Sequence, residues 1–278
     1  MAETYRELDH EGIHVHLWPA RAAAAEGTLL ILHGLFGSGD NWRSQAEELA
    51  DRRVVLAPDV PNHGHSAHVD DMNYDTLAGS MWSLLDGLRD AGVIPPDAAL
   101  DVLGHSMGGK IAMAMSFLRP DSLRRLVVAD IAPRDYPPRH EEIFRGLQAV
   151  AGRHIGRRGE ADRIMAEYIP ERPVRLFLLK SLSAGAEEGS SYRWLINLNG
   201  LRAAYPVISS WPFDAGSAYS GPVLFVAGGT SAYIRAEDRE AIAHHFPEHR
   251  IETIPGVGHW LHVEARDHFL RLVRDFLA

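Results

Sequence analysis

The chain has 278 residues, of which 46% are hydrophobic and 23% are charged, with a formal net charge of −9 and no cysteine. This is the composition of a globular protein; the lack of cysteine excludes disulfides, thiolate metal ligands and a cysteine nucleophile, and the negative charge argues against nucleic-acid binding. The sequence shows no signal-peptide pattern and no apolar run of about 18 residues, so we expect a soluble, cytoplasmic protein with no nucleic-acid partner and no membrane insertion.

The first predicted elements are strands. Apolar and polar side chains alternate from Ile13 to Trp18, which is the period of a strand, and Glu11 and Gly12 supply the turn of a hairpin before it. Six continuous apolar runs follow, which are typical of strands buried on both faces of a parallel sheet. These runs cover residues 28–34, 54–59, 99–106, 125–133, 222–229 and 250–256.

Helical periodicity occupies the spaces between these runs. The helices are predicted over residues 44–52, 75–91, 106–118 and 265–277. The first begins with the capping-box pair Ser44 and Glu47, and the second stops at Gly92. Because strands and helices alternate along the chain, the predicted fold class is α/β with crossover helices.

One long segment interrupts this alternation. Between residues 134 and 220 the patterns are helical and no convincing buried strand is present. The segment is too long for a simple crossover, and its aromatic and aliphatic residues argue against a long mobile loop. We therefore predict a helical cap over residues 134–220, inserted in a core domain formed by residues 1–133 and 221–278.

The heptapeptide GHSMGGK, at residues 104–110, fits two motifs with different chemistry. Gly104, Ser106 and Gly108 match the G-x-S-x-G nucleophile elbow of serine hydrolases. The same stretch is close to the G-x-x-x-x-G-K of a phosphate-binding P-loop, but a P-loop needs Ser or Thr after its lysine to bind Mg²⁺. That position is Ile111, so the hydrolase motif is favoured.

Residues suited to acyl transfer follow several of the predicted strands. Within these runs the strands themselves are predicted over residues 100–103, 126–129 and 251–254, and Ser106, Asp130 and His259 follow them. The carboxyl ends of parallel strands share the edge of a sheet where ligands bind. The chain order of the three residues is that of the α/β-hydrolases. An imidazole can accept the serine proton, and a carboxylate holds the imidazole in the correct tautomer. These three residues are the candidate nucleophile, acid and base.

Backbone N–H groups near Ser106 are predicted to bind an oxyanion. The helix that starts at the serine directs free N–H groups at the reacting oxygen. We expect the N–H of Met107 and that of Leu35, or alternatively Phe36, to form the oxyanion hole. Lys110, one turn farther along the helix, is expected to face away or to pair with an acid.

Histidines offer an alternative metal site in the stretch HGHSAHVDD. His63, His65 and His68 have the spacing of the metallohydrolase signature His-x-His-x-Asp-His, but the aspartate position is Ala67. We therefore expect His63 in a structural turn and the other two histidines in solvent. No metal and no cofactor is predicted.

The sequence resembles the α/β-hydrolase superfamily over nearly its whole length, and more narrowly the YbfF-type esterases. The stretches that carry the resemblance are HGLFGSGDNW (33–42), DVPNHGHS (59–66), MNYDTLAGS (72–80), GHSMGGKIAM (104–113), VADIAPRDYPPRHEEIF (128–144), FLLKSL (177–182), VAGGTSAYI (226–234) and GVGHWLHVE (256–264). The resemblance implies an α/β-hydrolase fold, with a mostly parallel sheet flanked by helices, an N-terminal antiparallel hairpin and an inserted helical cap.

The resemblance also bears on the acid of the triad. Most α/β-hydrolases place it in a G-x-x-D turn after the strand that corresponds to the fifth apolar run, but here the turn reads GGTS and ends in Ser231. The YbfF-type branch is understood to use the position of Asp130 instead, which makes Ser231 a supporting hydrogen-bond partner near His259. Asp214 and Asp238 are the alternative acids.

The predicted activity is the hydrolysis of carboxylic esters, or of thioesters, through an acyl-enzyme on the serine. The expected partner is therefore a small acyl ester or thioester, with Phe36, Trp194 and Trp260 as candidate substrate-binding residues. Packing is the alternative role of both tryptophans, and it is the favoured one for Trp194. Two alternatives stay open: perhydrolysis or C–C bond hydrolysis on the same triad, and slow-turnover ligand binding on the same fold. The sequence carries no prediction of oligomeric state.

Overall fold

A computed structural model describes residues 4–22, 25–185, 191–214 and 216–278 of the chain. Its strands are β1 (Arg6–His10), β2 (Ile13–Trp18), β3 (Thr28–Leu32), β4 (Val54–Pro58), β5 (Leu100–His105), β6 (Arg125–Ala129), β7 (Leu182–Ser183), β8 (Arg193–Trp194), β9 (Val223–Gly228) and β10 (His249–Ile254). Its helices are α1 (Arg43–Leu49), α2 (Tyr74–Asp90), α3 (Met107–Leu118), α4 (Glu141–Ala151), α5 (Arg158–Met165), α6 (Arg172–Leu178), α7 (Leu198–Ser209), α8 (Arg239–His245), α9 (Leu261–Glu264) and α10 (Arg266–Leu277). Within the described ranges, no helix combines the length and the apolar character that crossing a membrane requires.

Eight strands form one sheet in the order β1-β2-β4-β3-β5-β6-β9-β10. Neighbouring strands from β4 to β10 run parallel, whereas β2 is antiparallel to both β1 and β4. The predicted α/β-hydrolase fold is confirmed. The N-terminal hairpin is part of this sheet, and its turn residues Glu11 and Gly12 adopt positive φ angles of 47° and 80°.

The continuous apolar runs arise because both faces of the sheet are covered. Leu30 and Leu32 of β3 belong to the core cluster that includes α2 and α3. Leu29 and Ile31 point the other way, into the cluster that includes α1 and α10. All four side chains are fully buried. A strand in this position has no solvated face, so its sequence shows no polar alternation.

The start of α1 differs from the prediction. The helix begins at Arg43, and the Ser44 hydroxyl donates to Gln45 Oε1 at 2.9 Å, so the predicted capping box at Ser44 is wrong. The 3₁₀ turn before α1 is capped instead through Ser38, whose N–H donates to Asn41 Oδ1 at 3.1 Å. An asparagine there takes the place of the Glu or Gln by which a capping box is recognised in sequence.

Residues 134–220, called the insertion below, contribute α4 to α7 between β6 and β9. The insertion also contains a short antiparallel hairpin of β7 and β8, which the sequence does not predict because two-residue strands have no period. Hydrogen bonds tie the insertion to the rest of the chain. The Asn197 N–H donates to the Asn62 carbonyl at 2.9 Å, and the Tyr74 hydroxyl donates to the Ile208 carbonyl at 2.5 Å. The division into a core and a cap domain stays a prediction.

We expect opposite stability effects from adding a methyl group at two glycines. A Cβ on Gly104, in β5, would lie 2.2 Å from the Gly108 carbonyl oxygen, so Gly104→Ala should lower the free energy of unfolding by at least about 1–3 kcal/mol. Gly79, inside α2, has open space at its Cβ position, so Gly79→Ala should raise it by up to about 1 kcal/mol. Urea denaturation followed by circular dichroism measures both values. Equal shifts in the two variants would contradict the close backbone approach at Gly104.

Candidate active site

Ser106 lies on a sharp turn between β5, which ends at His105, and α3, which begins at Met107. Its backbone has φ 54° and ψ −120°, a strained conformation that few residues other than glycine adopt. Glycines make the turn possible, because a Cβ on Gly108 would lie 2.3 Å from the Leu32 carbonyl oxygen. This is the strand–turn–helix geometry of a nucleophile elbow, which presents the serine at the edge where the strands end.

The three residues of the predicted triad meet at this edge. His259 Nε2 lies 3.0 Å from Ser106 Oγ, and His259 Nδ1 lies 2.8 Å from Asp130 Oδ2. An imidazole with its proton on Nδ1 donates that proton to the carboxylate, which leaves Nε2 to accept from the serine hydroxyl. The side chains therefore form a continuous hydrogen-bond chain from the end of β5 to the end of β6.

The Asp130 carboxylate is fully buried, and hydrogen-bond donors surround it. The Gly228 N–H donates to Oδ1 at 2.9 Å, and the Ser231 hydroxyl donates to Oδ2, beside the bond from His259. A buried carboxylate without such donors is strongly destabilising, because it loses its hydration without compensation. Ser231, which the sequence places near His259, therefore contacts the acid rather than the imidazole.

The alternative acids are engaged elsewhere. Asp214 Oδ1 accepts from a backbone N–H two residues farther along its own loop, at 2.9 Å. Asp238 forms an ion pair of 2.7 Å with Arg134. Neither carboxylate bonds to His259 in the part of the chain that the structure describes. Asp130 is the acidic residue that the fold brings to the imidazole.

Two ring-bearing neighbours hold His259 in place. The Tyr233 ring stacks on the imidazole, with ring centroids 3.9 Å apart and planes inclined by 17°. His105 donates from Nε2 to the His259 carbonyl oxygen at 2.9 Å. Burial lowers the pKa of His105 well below its usual range, so this ring stays neutral. Sequence reasoning missed Tyr233, whose signal is its place two residues after Ser231 in the stretch GGTSAYI.

Leu35 and Met107 line the cleft beside Ser106. Met107 is the first residue of α3, so its N–H has no acceptor inside the helix. The alternative donor is already in use, because the Phe36 N–H donates to His63 Nε2 at 3.1 Å. The amides of Leu35 and Met107 stay the predicted oxyanion donors.

Two buried histidines next to this site, His33 and His63, are engaged in hydrogen bonds with the backbone. His63 uses both ring nitrogens, because Nδ1 donates to the Pro61 carbonyl at 3.1 Å in addition to the bond from Phe36. His33 likewise has a backbone partner at 2.9 Å on each nitrogen. Burial lowers the pKa of His63 to about 4 and that of His33 to about 3, so both rings are neutral. The stretch HGHSAHVDD forms a turn in which the side chains of residues 65 and 68 are exposed.

Ser106 lies where two parts of one cleft meet. The first part, called the tyrosine pocket below, is small and is lined mainly by ring side chains: Tyr74, Tyr136, His140, Tyr205 and Tyr233. The second part, the apolar groove, is lined mainly by hydrophobic side chains: Phe36, Val174, Phe177, Leu178 and Trp260. The groove continues past Trp260 into a space of about 760 Å³ beside α6 and α9, a volume typical of sites for small ligands.

The predicted substrate-binding residues divide between the cleft and the insertion. Phe36 and Trp260 line the apolar groove. Trp194 does not line either part of the cleft in the described structure; its indole N–H donates to the Leu147 carbonyl at 3.0 Å. The structure therefore places Trp194 in packing within the insertion, the role that the sequence favours for it, and not in the cleft. His140, which sequence reasoning did not single out, lines both parts of the cleft.

Lys110 is buried one turn after Ser106, contrary to the expectation that it faces away or pairs with an acid. Its Nζ donates to the carbonyls of Ser209 and Ser210, at 3.1 and 2.6 Å, and lies 4.9 Å from the centre of the Tyr136 ring. The last carbonyls of a helix carry partial negative charge, which suits a cation. Burial lowers the pKa of Lys110 to about 7. This lysine joins the helix of the elbow serine to the end of α7.

The chain is similar to known proteins over most of its length. The sequence model of the alpha/beta hydrolase fold family matches residues 27–265. The chain belongs to this family. Esterase YbfF of Escherichia coli (strain K12) is 37% identical over 250 residues, which cover 90% of this chain and 92% of that protein, so the resemblance to the YbfF-type branch is confirmed.

Two further similar proteins act on esters according to their names. The sn-1-specific diacylglycerol lipase ABHD11 of Mus musculus is 36% identical over 258 residues, covering 90% of this chain and 80% of that protein. The solved structure of a marine microorganism esterase is 34% identical, with a TM-score of 0.84 and coverage of 95% of this chain and 98% of that one. These two proteins are similar to the chain over 90% or more of its length.

We expect the contribution of Lys110 to stability to depend on pH. Its pKa of about 7 in the folded chain lies below the value of about 10.4 for an exposed lysine. Between these two values the unfolded chain binds more protons, so the stability of the wild type rises with pH. Lys110→Met has similar length and does not titrate. The free energy of unfolding of the wild type relative to Lys110→Met should therefore grow from about pH 7 toward about pH 10.

Urea denaturation at several pH values measures this difference. Lys180→Met, at an exposed lysine, is the matched control and should leave the pH profile unchanged. A difference for Lys110→Met that stays constant or falls as the pH rises would contradict the burial of the ammonium group.

Proposed function

We propose that the protein is a carboxylic ester hydrolase that forms an acyl-enzyme on Ser106, with His259 as general base and Asp130 as the acid of the triad. The observation that carries this proposal is the unbroken hydrogen-bond chain through His259, with bonds of 3.0 and 2.8 Å. Membership of the α/β-hydrolase family, and the esterases among the similar proteins, support ester hydrolysis in general.

The reaction begins when His259 Nε2 takes the proton of the Ser106 hydroxyl while Oγ bonds to the acyl carbonyl carbon. Negative charge develops on the carbonyl oxygen, and the N–H groups of Leu35 and Met107 bind it. One such donor contributes about 3–4 kcal/mol in the transition state. The imidazolium then gives its proton to the departing alcohol or thiol, so a thioester can follow the same steps. Water attacks the acyl-enzyme with the same base, and the acid is released.

Asp130 keeps Nδ1 of His259 protonated and stabilises the imidazolium that forms during both steps. Its carboxylate comes from the end of β6, next to β9, which explains how a serine can occupy the end of the G-x-x-D turn. Ser231 supplies a hydroxyl to the carboxylate instead of a charge to the imidazole. Tyr233 adds a stacked ring that holds the imidazole plane.

The two parts of the cleft favour different parts of a substrate. The apolar groove suits the acyl chain, because its walls are hydrophobic and its outer end carries the exposed side chains of Leu176 and Val263. The tyrosine pocket is small, and two of its polar groups are paired with each other by the 2.6 Å bond between His140 Nδ1 and the Tyr205 hydroxyl. It suits a compact alcohol or thiol portion. Because α6 lines the apolar groove and the residues before α4 line the tyrosine pocket, the insertion acts as the cap of this site.

Removing the nucleophile or the acid should abolish most turnover. With a chromogenic ester, kcat/KM should fall by several orders of magnitude in Ser106→Ala and by about 10⁴ in Asp130→Asn, where the imidazole takes the wrong tautomer. Asp214→Asn is the matched control and should stay close to the wild type. Turnover that survives Ser106→Ala, or a severe loss in Asp214→Asn beside a mild one in Asp130→Asn, would show that the triad is assigned wrongly.

Filling the apolar groove should remove the preference for long acyl chains. Each methylene group that the groove buries is worth about 0.8 kcal/mol, so kcat/KM of the wild type should rise about fourfold per methylene until the groove is full. Val174→Trp should flatten this rise and leave the shortest esters nearly unaffected. Leu118→Trp, at an exposed position on α3, is the control. A panel of acyl esters and thioesters of graded length measures the effect, and an equal loss for all lengths would place the acyl chain elsewhere.

A further inference from the structure

One face of the β1–β2 hairpin carries polar side chains that the proposed reaction does not use. In the antiparallel register, Glu7 lies opposite His16 and Asp9 lies opposite His14. Side chains alternate between the two faces of a strand, so these four residues share one face. The other face of β2 is apolar and belongs to the hydrophobic core. The fold therefore builds a cluster of two imidazoles and two carboxylates on one side of the hairpin.

Three of these side chains converge as metal ligands do. One ligand atom from each of Glu7, His14 and His16 lies within 4.8 Å of the others. The closest approaches of the carboxylate are 3.7 Å to His14 Nε2 and 3.8 Å to His16 Nδ1. A tetrahedral zinc ion with bonds of about 2.0–2.1 Å holds its ligands about 3.3 Å apart. Small side-chain rotations would bring the three atoms to that separation.

His14 shows the hydrogen bonding expected of a metal ligand. Its Nδ1 donates to Asp9 Oδ1 at 3.0 Å, and its Nε2 lies 3.7 Å from Glu7 Oε2. In a neutral ring with this hydrogen bond, Nε2 is the nitrogen that offers a lone pair to a metal ion. The side chain is nine-tenths buried, and this nitrogen has no hydrogen-bond partner within the described residues. A buried polar atom without a partner costs about 1–3 kcal/mol. Imidazoles that bind metals commonly donate their second N–H to a carboxylate in this way.

His16 approaches the same carboxylate through its Nδ1. This nitrogen donates to the Tyr5 hydroxyl oxygen at 2.7 Å, and the hydroxyl in turn donates to the Glu7 carboxylate. The Nε2 of His16 lies 3.8 Å from Asp59 Oδ1. The hydroxyl thus occupies the space between two of the ligand atoms, where an ion would replace it.

We propose that Glu7, His14 and His16 form a binding site for a divalent transition-metal ion such as Zn²⁺, with water as the fourth ligand. Two imidazoles and one carboxylate are the ligand set that Zn²⁺ and its neighbours prefer, whereas Mg²⁺ and Ca²⁺ prefer oxygen alone. The carboxylates of Asp9 and Asp59 offset part of the ion's charge. Glu7 is half exposed, which gives the ion access from solvent.

The site is separate from the proposed chemistry. None of the three ligands lines either part of the cleft in the described structure. The ion should therefore act on stability, by holding β1 and β2 together. A ligand that binds only the folded chain raises its stability in proportion to the logarithm of ligand concentration over Kd.

Titration of the chelator-treated full chain with Co²⁺ tests this site, because Co²⁺ bound to nitrogen and oxygen ligands has visible absorption bands. One equivalent should bind, and Zn²⁺ should displace it. Glu7→Gln, His14→Ala and His16→Ala should each weaken binding at least tenfold and should remove the rise in melting temperature that excess Zn²⁺ gives the wild type. His154→Ala, at an exposed histidine of the insertion, is the control and should bind as the wild type does.

The proposal fails if the wild type binds no Co²⁺ at millimolar concentration, or if binding persists unchanged in His14→Ala and Glu7→Gln. Should the histidine variants not fold, Glu7→Gln changes only a half-exposed side chain and still tests a ligand. Anomalous diffraction at the zinc edge from wild-type crystals soaked in Zn²⁺ needs no variant. A peak between Glu7, His14 and His16 supports the site, and a peak at other residues only overturns it.

Discussion

The hydrogen bond between Asp130 and His259 joins a fully buried carboxylate to an imidazole at the edge of the sheet. A carboxylate with no exposure is stable only where donors replace its water, and the Gly228 N–H and the Ser231 hydroxyl supply two of them. Those donors come from the end of β9 and the turn after it, and β9 pairs in parallel with β6, which carries Asp130. The register of these two buried strands therefore fixes the position of the Asp130 carboxylate. The carboxylate in turn holds the orientation of the imidazole that faces Ser106. A shift of β9 against β6 would leave a buried charge without its partners.

Much of this arrangement could be predicted from the sequence for a physical reason. Parallel strands buried on both faces must be apolar throughout, and their carboxyl ends share one edge of the sheet. A serine and a histidine that each follow such a run are brought together whatever the lengths of the connections, so Ser106 and His259 could be found from the pattern alone. The acid is less certain from the pattern, because Asp214 and Asp238 stay open as alternatives to Asp130; the place of Asp130 at the end of a strand and the resemblance to YbfF-type esterases both favour Asp130.

The features that the sequence does not predict depend on contacts between distant segments. Lys110 donates to the carbonyls at the end of α7, about a hundred residues later in the chain. No local sequence pattern predicts such a contact. In the sequence, Tyr233 is an aromatic residue of a loop, and only the fold shows that its ring stacks on His259. Helical periodicity in the insertion shows which side chains are apolar but not which neighbour they meet, so Trp194 could not be assigned to packing rather than to the cleft. The same limit applies to His14. Its alternation with apolar residues predicts a strand, but not the approach of its ring to Glu7 and His16.

Proton NMR of the Nδ1–H of His259 tests the central hydrogen bond most directly. A proton held between an imidazole and a buried carboxylate resonates far downfield of ordinary N–H signals and exchanges slowly with water. The wild type should show one such resonance, which should be absent from Asp130→Asn and from His259→Ala and present in Asp214→Asn. A downfield resonance that survives Asp130→Asn, or that disappears when Asp238 is changed to asparagine instead, would contradict Asp130 as the partner of the imidazole.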